Sequence, residues 1–329
     1  MNYLLVLLKG MAMGAADVVP GVSGGTIAFI TGIYEKLLSS INAFNFGLIK
    51  TFKEEGIKGV WQTVNGTFLL SLFVGIGISI VLLAKRLEYL MEEHPVLLWS
   101  FFFGLIVASI IYIGKQVKQW NIPAILGLII GTVIVVGITL LPPLGDAESL
   151  PFLFVCGMIA ICAMILPGIS GSFILLILGA YQAVLKAVGT GDYVVLGTVA
   201  LGAIVGLLAF SRVLKWLFNT YENTTIAVLT GFLVGSLWKI WPWKHVTKIH
   251  VKHLGEVDEN GKSLEEVVNL VEPNVLPSNY DTFIREGDQI IGYETAEPQT
   301  LYAVLLALAG FSLIFIIEAL AKRLGKTDD

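Results

Sequence analysis

The sequence predicts an all-α protein that crosses a membrane several times and is built from two copies of one unit in opposite orientation. Three observations predict this. The chain of 329 residues is 56% hydrophobic and only 14% charged, against roughly 25% charged in a soluble protein. Its apolar runs, 67–84 and 96–114 among them, are long enough to cross a bilayer. Finally, residues 10–34 and 157–181 repeat one motif at an offset of 147. Gly10, Met11, Ala16, Pro20, Gly21, Ser23, Gly24, Ile27, Gly32 and Tyr34 match Gly157, Met158, Ala163, Pro167, Gly168, Ser170, Gly171, Ile174, Gly179 and Tyr181. In both copies Pro-Gly-x-Ser-Gly interrupts an apolar segment.

The elements follow in order. The first repeat, 1–141, opens with a broken hairpin over 4–41, followed by spans at 67–84, 96–114 and 122–141. The second, 151–320, has its hairpin over 151–188 and spans at 193–211, 225–241 and 300–320. Gly75–Ile113 aligns with Gly202–Ile240 at an offset of 127, with Lys85 opposite Arg212. In each copy 16 residues precede the break, Leu4–Val19 and Pro151–Leu166. As helices these reach about 24 Å, short of the roughly 30 Å hydrocarbon core. Pro-Gly then stops the helix. The hairpins are therefore read as re-entrant. A re-entrant hairpin keeps its side and three spans change it, so the second repeat enters inverted. No cleavable signal peptide is expected, since Met1–Leu8 runs into Lys9 and the motif.

Basic residues orient the scheme. Lys9, Lys36, Lys50, Lys53, Lys58, Lys115, Lys118, Arg212, Lys215, Lys322, Arg323 and Lys326 fall on one side, 12 in all, against 3 (Lys85, Arg86, Lys186) in short loops on the other. The positive-inside rule makes the first side cytoplasmic, with both termini there. The segment 242–298 holds 11 acids and 5 bases and falls outside. Long polar segments translocate regardless of charge, so it is left out of the count. Alternation at His250–Leu254 and Gln289–Tyr293 predicts a few strands in a small extracytoplasmic insertion.

The motif carries the chemistry. A helix restarting at mid-membrane after Pro20, Gly21, Ser23, Gly24, Gly25 and Thr26 presents amide N–H groups without internal partners, at the positive end of its dipole. Such an end holds anions, phosphate included. Pro167, Gly168, Ser170, Gly171 and Ser172 repeat the arrangement from the opposite face. Asp17 is the one acid deep in the first motif, and its counterpart is Met164. An intramembrane carboxylate is costly and points to function. It is expected to exchange a coupling proton or to bind Na⁺, and no other cofactor is expected. Glu35, Lys36, Lys85 and Arg212 are candidate head-group contacts at the membrane faces. Trp238, Trp241 and Trp243 are expected in an aromatic belt.

Enzyme chemistry finds less support. A membrane serine protease needs a base beside its serine, yet His94, His245, His250 and His253 all lie outside the spans. The same histidines lack zinc-site spacing, so no metal is expected. Cys156 and Cys162 lie in an apolar stretch and are expected to be buried thiols. A lipid-diphosphate phosphatase remains as a rival, although its family's pattern of an arginine in the serine motif and paired glutamates is missing from both hairpins. An ion-coupled carrier of small anions is the other alternative. Nothing in the chain suggests a nucleic acid partner or fixes an oligomeric state.

Three stretches, Gly14–Thr26, Pro167–Ser172 and Gly231–Pro242, resemble the bacterial polyprenyl-phosphate transporter family, long described only as a domain of unknown function. The resemblance spans essentially the whole chain. It implies a transporter in the cytoplasmic membrane. The implied activity is flipping of undecaprenyl phosphate, the lipid carrier of cell-wall synthesis, back to the cytoplasmic leaflet. The segment 242–298 is the part whose match to that pattern is weakest.

Overall fold

The computed structural model describes residues 2–18, 23–141, 149–252 and 266–325. Pro20 and Gly21 lie outside them. The described chain is mostly helical, with several long apolar helices as expected of a multi-pass membrane protein.

Each broken hairpin forms three helices. In the first copy these are α1 (Tyr3–Val18), α2 (Gly24–Ile30) and α3 (Tyr34–Asn42). The connector that follows is itself helical, α4 (Gly47–Thr63). Sequence reading left it unassigned because it has no long apolar run. It instead exposes Ile49, Phe52, Ile57 and Trp61 beside Lys50, Lys53 and Lys58, the composition of a helix lying on a membrane surface. Next come α5 (Gly66–Glu93), α6 (Pro95–Gly114) and α7 (Ile122–Leu140). The second copy has α8 (Leu150–Ile165), α9 (Gly171–Ile177), α10 (Tyr181–Thr190), α11 (Tyr193–Lys239) and α12 (Thr300–Gly325). Segments of α5, α6, α7 and α11 are long and apolar enough to cross a bilayer, and α12 carries a shorter apolar stretch, Thr300–Ile316.

At 47 residues, α11 is about 70 Å long, more than twice a bilayer core. It is interrupted at Tyr221, where φ is −133° and ψ 46°. His94, its counterpart at the 127 offset, joins α5 to α6 with φ −135° and ψ 47°. The same joint thus occurs in both copies. Pro95 follows His94 and has no N–H, so the helix visibly ends there. Glu222, which is not a proline, follows Tyr221, and the two parts of α11 meet there at a kink. Residues 212–220, expected to lie between spans, are helical up to the joint, and so are residues 85–93.

Helix packing repeats between the copies. α1 lies on α5 as α8 lies on α11, and α6 lies on α12 as α11 lies on α7. The closest approaches correspond in register. Gly75 abuts the Leu7 carbonyl and Gly202 that of Phe154, while Gly104 abuts the Ala307 carbonyl and Gly231 that of Leu128. Small residues that admit a neighbouring backbone are how membrane helices associate without a hydrophobic drive. The main core joins both copies, with Ala16, Ile27 and Phe29 packed among Ala163, Ile165, Ile174, Leu229 and Leu233.

The insertion between α11 and α12 contains two antiparallel hairpins, β1 (Lys248–Lys252) with β2 (Glu266–Val271), and β3 (Asp281–Glu286) with β4 (Gln289–Thr295). Trp241 and Trp243 turn inward to pin its base rather than face lipid. Their indole N–H groups donate to the carbonyls of Val275 and Pro298, each at 2.8 Å. Buried tryptophan needs such a partner. Trp238 is half exposed, as a belt residue would be. His245 pairs with Asp281 at 2.7 Å. Among the described residues no three His, Cys, Asp or Glu side chains converge as metal ligands; His253 lies outside them.

Candidate functional site: the meeting of two broken hairpins

The breaks bring the two motifs together. Ser23, extended at φ −127° and ψ 133°, caps α2 by accepting from the Gly25 N–H at 3.1 Å. The same hydroxyl donates across to the other hairpin, 3.0 Å from the Met164 carbonyl and 3.3 Å from that of Leu166. These are carbonyls that α8 leaves without helical donors where it ends. Thr26 returns the contact, its hydroxyl accepting from the Gly168 N–H at 3.0 Å. Ser23, Gly24, Gly25, Thr26, Pro167, Gly168, Ser170 and Gly171 are all buried. Gly25 sits so near the second hairpin that a Cβ there would lie 2.5 Å from the Ile165 carbonyl oxygen.

The two helix ends are not equivalent. At α2 the first amides are already taken: Asp17 accepts from the Gly24 N–H at 2.7 Å, Ser23 from Gly25, and the Ser23 carbonyl from Thr26 at 2.9 Å. The expectation of unpartnered amides therefore does not hold at this end, because Asp17, one turn before the break, supplies its own carboxylate. At α9, Ser170 makes no side-chain cap bond. Its hydroxyl lies 2.8 Å from that of Ser172 instead, and Ser172 is exposed. The acid that differs between the copies thus leaves the α9 end the more open of the two.

A cavity of about 630 Å³ opens between α3 and the first part of α11, lined by Glu35, Lys36, Asn65, Lys215, Asn219 and Glu222 among others. It holds two of the four head-group candidates, Glu35 and Lys36. Lys85 and Arg212 are exposed on their helices and do not line it. Lys215, which sequence reading did not single out, lines the cavity as well. It lies three residues after Arg212 on the same helix, so a three-residue step along the face would have found it. Phe218, also in the lining, packs on Tyr34 at 6.0 Å, and Tyr34 on Phe29 of α2 at 5.0 Å. The cavity is thereby joined to the hairpin by aromatic contacts. Lys9 donates to the Thr31 carbonyl at 2.7 Å, a cation at the negative end of α2.

The undecaprenyl phosphate translocase-like family model matches residues 13–258. A polyprenyl-phosphate transporter of Vibrio cholerae is 45% identical over 324 residues, 98% of both chains. One of Staphylococcus aureus is 32% identical over 255 residues, 72% of this chain and 85% of that protein. No solved structure matches. Both relatives are transporters by name, not enzymes, in keeping with a serine motif that has no histidine beside it. By the match of its family model and its near full-length likeness to the Vibrio protein, the chain belongs to the undecaprenyl phosphate translocase-like family.

Proposed function

We propose that the chain carries undecaprenyl phosphate from the outer to the cytoplasmic leaflet of the bacterial cytoplasmic membrane, returning the lipid carrier for another round of cell-wall synthesis, with a proton or Na⁺ as the coupling ion. The observation that carries this reading is the buried polar seam in which Ser23 and Thr26 of one hairpin bond the backbone of the other. A phosphate on a lipid needs hydrogen-bond donors within an apolar body; the seam holds the two hairpins together, and the Ser170 and Ser172 hydroxyls beside it are the donors left for the ligand. The pocket opens on the α9 side, at Ser170 and Ser172, because Asp17 already fills the anion place at α2. The cavity at Glu35, Lys36 and Lys215 is the cytoplasmic mouth, where cations meet the departing head group.

In this reading the hairpins are re-entrant and the copies inverted. Support comes from 16-residue α1 and α8, too short to cross the bilayer core, and from the contacts that recur in register. The 12-to-3 asymmetry of basic residues puts the termini in the cytoplasm and the insertion outside. Cysteine introduced at exposed Ser278 is then expected to react with an impermeant reagent in intact cells, and cysteine at Lys58 to be protected. The reverse pattern would invert the scheme.

The deciding assay is uptake of labelled polyprenyl phosphate in proteoliposomes, with the diphosphate and a free small anion as parallel substrates and analysis of released phosphate. Transfer without hydrolysis supports the carrier; hydrolysis of the diphosphate would establish the phosphatase, and transport of free small anions the third reading. Ser23→Ala and Ser170→Ala are expected to part company. Ser23 is a helix cap and an inter-hairpin bond, so its loss costs about 1 kcal/mol of stability or more. Ser170→Ala leaves thermal unfolding nearly unchanged and slows transport about tenfold, the scale of one hydrogen bond to a charged group. Equal transport by Ser170→Ala and wild type would remove that hydroxyl from the pocket.

A further inference from the structure

We propose that Lys239 and Lys244, organised by Glu272 of the insertion, form a second binding site for the phosphate monoester of the substrate, at the mouth of the path on the insertion side. The proposal rests on the lipid-phosphate reading above and names residues which that reading does not use.

Lys239 ends α11, Lys244 follows the turn at Pro242, and Glu272 follows β2. Both ammonium groups converge on the same carboxylate oxygen, Lys239 at 2.7 Å and Lys244 at 3.5 Å. Asn269 donates to the other oxygen at 3.4 Å. Asn274 accepts from Lys244 at 3.3 Å and donates to the Trp238 carbonyl at 2.8 Å, which fixes the frame. The side chains are 21%, 11% and 19% exposed for Lys239, Lys244 and Glu272. They are shielded, yet still reachable by a ligand.

The charges do not balance. Among the described residues Glu272 is the only carboxylate within ion-pair distance of either lysine, so two cations share one anion. Desolvated charge is costly unless compensated. The imbalance registers on Lys244, which burial pulls down to about 8, with Glu272 offsetting this and Lys239 adding to it. Burial raises the Glu272 carboxyl, but the two lysines and the hydrogen bonds from Lys239 and Asn269 together hold it below its ordinary value. An added anion with several acceptor oxygens supplies the missing charge, and lysine binds phosphate as a point charge.

Position selects the ligand. The Lys239 ammonium also lies 4.9 Å from the centre of the Phe173 ring, a cation–π contact. Phe173 adjoins Ser172, whose hydroxyl meets that of Ser170. The cluster is therefore one side chain away from the open hairpin end. A head group held by the lysines passes Phe173 to reach Ser172 and Ser170. The insertion, otherwise without a role, contributes the residue that holds the lysines together.

A purely structural tie between insertion and membrane helices would look similar, and the variants separate the two. Full-length protein in detergent or nanodiscs is titrated with farnesyl phosphate, with farnesol and inorganic phosphate as the other probes, and thermal unfolding is followed in parallel. Lys239→Gln and Lys244→Gln are each expected to weaken farnesyl phosphate binding about tenfold or more. Lys239→Arg keeps most of it. Glu272→Gln keeps an oxygen that both lysines can reach while removing the competing charge, and at about pH 6, where Lys244 stays protonated without the carboxylate's support, it is expected to bind at least as tightly as wild type. A tie predicts instead that all three neutralising variants fail alike, and that result overturns the proposal, as does unchanged binding in both lysine variants. Inorganic phosphate binding as tightly as farnesyl phosphate would make this a free-ion site and overturn its assignment to the lipid. Wild-type protein that flips polyprenyl phosphate in vesicles while the lysine variants bind normally defeats this inference alone; wild type that neither binds nor flips it defeats both.

Discussion

Transport is expected to vanish in Gly168→Val, with folded protein still recoverable at reduced yield. Two costs coincide at this residue. Its φ is +87°, a region that a β-branched L-residue scarcely enters. A Cβ would also lie 2.8 Å from the Phe232 carbonyl oxygen and 3.0 Å from its carbon. These are backbone atoms of a packed helix, which cannot rotate away as a flexible side chain does. Relief requires moving the loop off α11, and that breaks the Gly168 amide bond to Thr26. Gly168→Ala meets the same contact with less bulk and is expected to retain a small fraction of activity. Gly32→Ala is the control: its φ is +71°, but nothing lies within 4 Å of the added carbon. It bears only the backbone strain, about 1–2 kcal/mol, and transports nearly as wild type. The measurement is initial flip rate per folded molecule in proteoliposomes. Wild-type rates from Gly168→Val would take the hairpin contact out of the mechanism.

Much of this site was legible because its causes are local. Pro-Gly stops a helix wherever it occurs, so the gap between Ile165 and Gly171 was fixed by residue type. Ser23 is a cap for the same reason. The features that escaped depend on partners distant in sequence or on burial that no local pattern encodes. Trp241 and Trp243 look like belt residues until the carbonyls of Val275 and Pro298 arrive from the far end of the insertion. Residues 212–220 look like a loop because charge and hydropathy change there, although a helix needs only its backbone bonds to continue. Helix α4 escaped because an interfacial helix needs one apolar face and no apolar run. The Asp17–Gly24 bond lies across the break, where periodicity says nothing of what faces what. Lys215 lines the cavity and Arg212 does not, although they lie within about 60° of each other around the helix, a difference in position along the helix that charge and symmetry could not decide.

Asp17→Asn is expected to uncouple transport from its driving ion while leaving lipid phosphate binding intact. The carboxylate accepts from the Gly24 N–H at 2.7 Å, at the place where an anion would otherwise sit on α2. An arriving phosphate therefore meets a like charge beside its pocket. In the proposed cycle, taking up a proton or a Na⁺ ion removes that repulsion, so ion and lipid are expected to bind and be released together. Asparagine keeps an oxygen to accept from Gly24 and removes the charge, which makes it a mimic of the neutral state. The hairpin should then fold as before, with thermal unfolding close to wild type. The counterpart of Asp17 is Met164, so the second hairpin has no titrating group at the matching place, and in the proposed cycle that asymmetry is what would bias direction. Uptake of labelled polyprenyl phosphate is measured with an imposed pH gradient, then with a Na⁺ gradient, for both proteins. Wild type responds to one of the two, which names the ion. Asp17→Asn responds to neither and equilibrates the lipid at a rate set by binding alone. A response to the gradient equal in both proteins would reduce Asp17 to a helix cap.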